Sequence, residues 1–175
     1  MIGFLTNLFT RAEPSVSEAR TSDAAELAAL HGTSFNRGWS EDEFERLLMD
    51  RAVLVHRTMI GRRLVGFVVS RIIAGEAEIL SVAVASSRRR KGLAKQMLNL
   101  HLRRLAGLGA RTVFLEVDES NVPANRLYQR FGFRAVGRRE GYYPYPDQLG
   151  RNRGSNFPGQ TGKSAAALVL RCDFP

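Results

Sequence analysis

Apolar residues recur along this chain in two rhythms, and the switches between them mark out its elements. Spacings of three and four put Leu27 and Leu30 on one helical face after Asp23, and Phe44, Leu47 and Leu48 on another after Ser40. Both starts have capping-box spacing, Asp23 to Glu26 and Ser40 to Glu43. Two helices are therefore expected to precede the sheet. Residues 53–55 and 64–69 are β-branched or apolar runs, read as strands joined by a turn around Gly61, and residues 79–84 continue them as a meander.

From about Leu93 to Leu108 the period is helical again. Ala94, Met97, Leu98, Leu102 and Leu105 point inward, with Lys95, Gln96, Asn99, Arg103 and Arg104 outward and His101 read as half-buried scaffold. Residues 112–117 then alternate: Val113, Leu115 and Val117 share one face, Thr112, Phe114 and Glu116 the other. Strand, helix and strand from 79 to 117 thus form a parallel crossover unit. At Asn121 the chain offers an N-cap, Pro123 falls in the first turn, and Ala124, Leu127, Tyr128 and Phe131 follow at helical spacing until Gly132 supplies a stop. A last strand is expected at 165–170.

Composition narrows the class. With 175 residues, 44% of them hydrophobic, the chain can bury a sizeable core and reads as a single domain over 1–175, with 1–15 as a tail. Residues 145–163, rich in Gly, Pro and Asn, read as a mobile loop, either a substrate gate or a plain insertion. One cysteine excludes an intrachain disulfide and argues for a reducing, cytoplasmic setting. The start has no basic region ahead of a long apolar run, so neither signal peptide nor membrane span is read. No His/Cys/Asp set has metal-ligand spacing.

A formal charge of +9 suits an anionic ligand and weak attraction to polyanions. Sequence-specific nucleic-acid binding is not expected, since neither a recognition-helix motif nor aromatic-basic interleaving occurs. The positive charge concentrates at Arg88, Arg89, Arg90 and Lys91, in the turn from Arg89 to Ala94 between the strand at 79–84 and the helix after it. The first N–H groups of a helix lack intrahelical partners and carry the positive end of its dipole, so this turn is a natural phosphate site. Gly92 lets the main chain come close. A solvated basic loop is the alternative for the turn taken alone, as a core aromatic is for Tyr128 and a strand-end charge for Glu116.

Read together, these segments resemble the GNAT superfamily of acetyl-CoA-dependent N-acetyltransferases, and within it the bacterial RimI type that acetylates a ribosomal-protein alanine. The likeness rests on residues 78–84, the turn 89–94, Leu115-Glu116-Val117, Ser120-Asn121, Leu127-Tyr128, Phe131-Gly132-Phe133 and Gly141-Tyr142-Tyr143-Pro144, with a weaker echo at His31, Phe35 and Trp39-Ser40. Arg89 stands where the family often has glutamine, and Ala94 where glycine is common. Neither change removes a main-chain donor.

The resemblance implies a mixed α/β (α+β) sheet flanked by helices, with acetyl-CoA as co-substrate and no metal. It gives Val82, Ala83 and Val84 main-chain contacts with the pantetheine arm. Arg89, Arg90, Lys91, Gly92, Leu93, Ala94 and Lys95 form the pyrophosphate turn, and Asn121 binds the cofactor. Glu116 is the general base and Tyr128 the general acid, while Trp39, Tyr142 and Tyr143 line the acceptor side. The implied acceptor is a protein N-terminus, the N-terminal alanine of a ribosomal protein, and the implied state is a monomer or weak dimer. A lysine, a small amine or another N-terminus is the alternative acceptor. An acyl-CoA-sensing or RNA-contacting module without catalysis is the alternative of another class.

Overall fold

The computed structural model describes residues 12–140 and 166–175. In chain order the elements are β1 (Pro14–Glu18), α1 (Ala24–Ser34), α2 (Glu41–Met49), β2 (Val53–Ile60), β3 (Arg63–Ile73), β4 (Glu76–Val84), α3 (Leu93–Gly107), β5 (Thr112–Asp118), α4 (Val122–Arg130), β6 (Arg134–Arg139) and β7 (Ala167–Asp173). The strands form one mixed sheet in the order β1-β2-β3-β4-β5-β7-β6, the α/β architecture the sequence implies. The described residues fall into two compact units, one within Met1–Val69 and Ser81–His101, the other within Ser70–Leu80 and Leu102–Pro175.

In the first unit, β1 pairs antiparallel with β2, from Pro14 opposite Ile60 to Glu18 opposite His56. A strand therefore comes before the two helices, and it begins inside the stretch expected to be a tail. Its Pro14 has no N–H to donate, which suits an edge strand. Ser40 caps α2 as its spacing demands: Ser40 Oγ accepts from Glu43 N–H at 3.2 Å, and Ser40 N–H donates to the Glu43 carboxylate at 2.7 Å. Asp23 does not cap α1 in this way. Its carboxylate accepts from Arg20 N–H at 2.7 Å and pairs with the Arg57 guanidinium on β2. A buried carboxylate needs a charged partner, and that need overrides the local cap.

An aromatic cluster joins α1, α2 and β3 of this unit, over a core that is otherwise aliphatic. His31 of α1 stacks on Trp39, with ring centroids 4.5 Å apart, and lies 4.4 Å from Phe35, while Phe44 of α2 meets Phe67 of β3 edge-on at 5.7 Å. Phe44 and Phe67 are fully buried, a burial worth about 2–3 kcal/mol each. Burial lowers the His31 pKa to about 4 against a smaller opposing pull from Glu43. Neutral, its Nδ1 accepts from Trp39 N–H at 3.0 Å. His101 is fully buried rather than half-buried, and its Nδ1 lies 2.8 Å from Nδ1 of His56.

In the second unit, β4 and β5 run parallel from Glu76 opposite Thr112 to Ile79 opposite Leu115, and β5 pairs antiparallel with β7 along its length. The β4–β5 register ends at Ile79, although β4 runs on to Val84. Val113, Leu115 and Val117 are buried on one face of β5, as their alternation predicts. Gly132 takes φ +84° and ends α4, with Phe133 N–H donating to Tyr128 O at 3.1 Å. Cys172 is buried, its Sγ 3.4 Å from Phe131 O, and burial together with Asp173 pushes its thiol pKa up; it is an interior side chain, as expected.

Candidate active site

The basic turn belongs to the first unit. The chain leaves β4 at Val84, makes a short 3-10 turn at Ser86–Arg88, and reaches α3 through four more residues. Arg89 Nε donates to Val84 O at 3.0 Å, so the side chain that opens the turn folds back onto the end of the strand. Arg90 and Gly92 both take left-handed φ, +61° and +78°. Left-handed residues set into a turn swing main-chain N–H groups to a common side, which is the geometry of an anion nest. A non-glycine residue held there stores roughly 1–3 kcal/mol of strain, a cost the surrounding turn must impose.

Gln96 N–H donates to Gly92 O at 3.0 Å and opens the helical ladder of α3. The N–H groups before it stand outside that ladder. A Cβ built on Gly92 meets nothing within 4 Å, so open space lies beside the main chain. Arg89, Arg90, Lys91 and Lys95 are exposed, whereas Leu93 is buried and anchors the helix start. Main-chain donors, a helix N-terminus and exposed cations thus converge, and the residues present fit a pyrophosphate. Val82, Ala83 and Val84 lie at the end of β4, past the last rung shared with β5.

The second unit holds the proposed acid and base. Glu116 sits on β5 with its side chain 19% exposed, and Oε1 pairs with Arg139 of β6 at 3.1 Å. Its Oε2 is buried and has no hydrogen-bond partner among the described residues. Tyr128 is buried on α4, its ring 5.7 Å from Phe133, and burial raises its pKa to about 12. The phenol therefore stays protonated across the neutral range.

Between them runs a tightly tied turn. Asp118 Oδ1 accepts from both the N–H and the hydroxyl of Ser120, at 2.8 and 2.7 Å, and Asn121 caps α4 by accepting from Ala124 N–H at 3.3 Å. Asn125, which the sequence reading passes over, donates its amide to the carbonyls of Asp118, Glu119 and Asn121 at 3.1, 3.3 and 3.0 Å. It binds the strand of Glu116 to the helix of Tyr128. An Asn one turn after an N-cap Asn is the only trace of this in the sequence. Arg139 is the second residue passed over, because a run of arginines looks like any solvated strand.

Trp39 lies against His31 and Phe44 in the aromatic cluster of the first unit. Tyr142, Tyr143 and the loop 145–163 lie outside the described residues. Among the described residues no group of three His, Cys, Asp or Glu could hold a metal ion, and no helix is long and apolar enough to cross a membrane.

Comparison with known proteins agrees with this architecture. The model of the acetyltransferase (GNAT) family matches residues 24–133, and the chain belongs to that family. It is an acetyl-CoA-dependent N-acetyltransferase. The [ribosomal protein bS18]-alanine N-acetyltransferase of Escherichia coli strain K12 is 28% identical over 133 residues, covering 76% of this chain and 89% of that protein. The crystal structure of the ribosomal-protein-S18-alanine N-acetyltransferase from Escherichia coli superposes with TM-score 0.77 at 22% identity, over 92% of this chain and 94% of the other. Arabidopsis thaliana NAA60 in complex with acetyl-CoA gives TM-score 0.75 at 20% identity, over 92% and 98%. At these identities the two structures speak for the fold.

Proposed function

We propose that the chain transfers the acetyl group of acetyl-CoA to the α-amino group of a protein N-terminus, and that a ribosomal-protein alanine, named for its Escherichia coli relative, is the acceptor. The observation that carries this reading is Glu116 Oε2. A buried acceptor left unmatched costs roughly 1–3 kcal/mol, and an incoming amine is a donor that relieves it. An α-amine titrates near 7.7–8.0 against about 10.4 for lysine, so one carboxylate is enough to take its proton at neutral pH.

Acetyl-CoA supplies the activated acetyl thioester. The turn from Arg89 to Lys95 binds its pyrophosphate, Asn121 adds a further contact, and main chain at Val82 to Val84 orients the pantetheine arm. Glu116 accepts the proton of the attacking amine. Tyr128 donates a hydrogen bond to the departing sulfur. Burial keeps the phenol protonated, with its pKa pushed up to about 12, and Tyr128 is the general acid for the leaving thiolate. Trp39, Tyr142 and Tyr143 are assigned to the acceptor side by the family likeness. A single domain over 1–175 is assigned to these roles.

Mass spectrometry of products from matched N-terminal and lysine peptides, alanine-starting ribosomal tails included, tests the reading. Acetylation of the alanine amine with release of CoA is expected. Acetylation of lysine or small amines alone would redirect the acceptor, and acetyl-CoA binding without CoA release across the panel would favour a sensing module.

A further inference from the structure

We infer that Arg139 is a positioning residue for Glu116, set in place by a β-bulge at Val136; this rests on the base assignment proposed above. Along β6 the register with β7 runs Arg134 opposite Arg171 and Ala135 opposite Leu170, then skips a residue so that Gly137 meets Val169 and Arg139 meets Ala167. Val136 is the extra residue and is half exposed. Because side chains alternate, one inserted residue exchanges the two faces of everything after it.

The exchange has a definite result. Val169 lies opposite both Glu116 on β5 and Gly137 on β6, so these three share one row and one face. Arg139, two residues beyond Gly137, is on that same face. Without the bulge Arg138 would stand opposite Ala167 and face Glu116, and Arg139 would point the other way. As built, Arg138 pairs instead with Glu119 and Glu140, at 3.0 and 2.6 Å. Gly137 places no side chain in the row, which leaves the Arg139 guanidinium a clear path to Oε1 of Glu116.

The pair contributes little to folding. The Arg139 side chain is 62% exposed, and ion pairs so open to water are worth about 0–1 kcal/mol at most. Its effect is geometric. A guanidinium on Oε1 restricts rotation of the carboxylate and so fixes where Oε2, the buried oxygen without a partner, stands. A bulge that re-aims one arginine onto the base accounts for both observations together.

Steady-state kinetics on the full chain tests this with Arg139→Gln, Arg139→Lys, Glu116→Gln and the Glu116→Gln/Arg139→Gln double variant. Arg139→Gln is expected to lower kcat about tenfold, within the roughly hundredfold that a misplaced catalytic group costs, leaving the KM for acetyl-CoA and the melting temperature unchanged. Arg139→Lys, which keeps the charge, should recover part of kcat. In the Glu116→Gln background the Arg139 change should add nothing further. An unchanged kcat in Arg139→Gln, or independent and multiplicative losses in the double variant, would overturn the positioning role while leaving the base assignment intact. Full activity of Glu116→Gln would instead remove the base assignment, and this inference with it.

Discussion

Nδ1 of His56 on β2 and Nδ1 of His101 on α3 face each other at 2.8 Å in the interior of the first unit. One ring must donate and the other accept, so a second proton would set two N–H groups against each other. Burial, with His56 adding to it, lowers the His101 pKa to about 3, and burial lowers that of His31 to about 4.

Stability should therefore fall on acidification. Above about 6.5 His31 and His101 are neutral in both the folded and the unfolded chain; below it these two take up protons in the unfolded chain that the folded chain refuses. The loss grows as pH drops from about 6.5 toward the folded-state values. The urea midpoint is expected to be lower at pH 5 than at pH 7.5, with most of the drop below pH 6.5. A midpoint flat across that interval would contradict the lowered pKa values of His31 and His101.

Gly92→Val should weaken donor binding without unfolding the protein. The φ of +78° costs a β-branched residue roughly 1–2 kcal/mol, and the side chain fills the open space beside the turn. About a tenfold or greater rise in the acetyl-CoA Kd is expected by calorimetry. An unchanged affinity would reject the phosphate cradle.

Asn125→Ala removes all three amide donations to the β5–α4 turn. The expected costs are about 1–3 kcal/mol of stability, from denaturant melts, and a lower kcat, since the strand of Glu116 and the helix of Tyr128 lose their common tie. A variant with wild-type stability and kcat would show the turn to be held by other bonds.

Much of this could be read in the sequence, and the failures share a cause. β5 and α4 show their faces because one side of each is buried, which forces alternation in Val113, Leu115 and Val117 and helical spacing up to Tyr128. β6 is exposed throughout and β1 carries one valine, so neither has a pattern to read. Their existence depends on pairing with a distant strand. The Asp23 cap fails for a related reason: its partner, Arg57, is 34 residues away. Arg139 is hidden more deeply still, because only the bulge at Val136 decides which of two adjacent arginines meets Glu116.

The pH profile of turnover should rise through the acceptor α-amine near 7.7–8.0 and show no alkaline limb from Tyr128 below about pH 11, because burial has pushed that phenol up to about 12. Tyr128→Phe should lower kcat without changing the shape of the profile. A limb near pH 10 that vanishes in Tyr128→Phe would contradict the buried assignment.

The most direct test of the account is kcat of Glu116→Gln on an alanine-starting peptide, with acetyl-CoA binding followed in parallel by calorimetry. The amide keeps the size of the side chain and removes its capacity to take a proton. A fall of about a hundredfold or more in kcat with acetyl-CoA affinity unchanged is predicted. Wild-type turnover across pH 6.5 to 9 would contradict it.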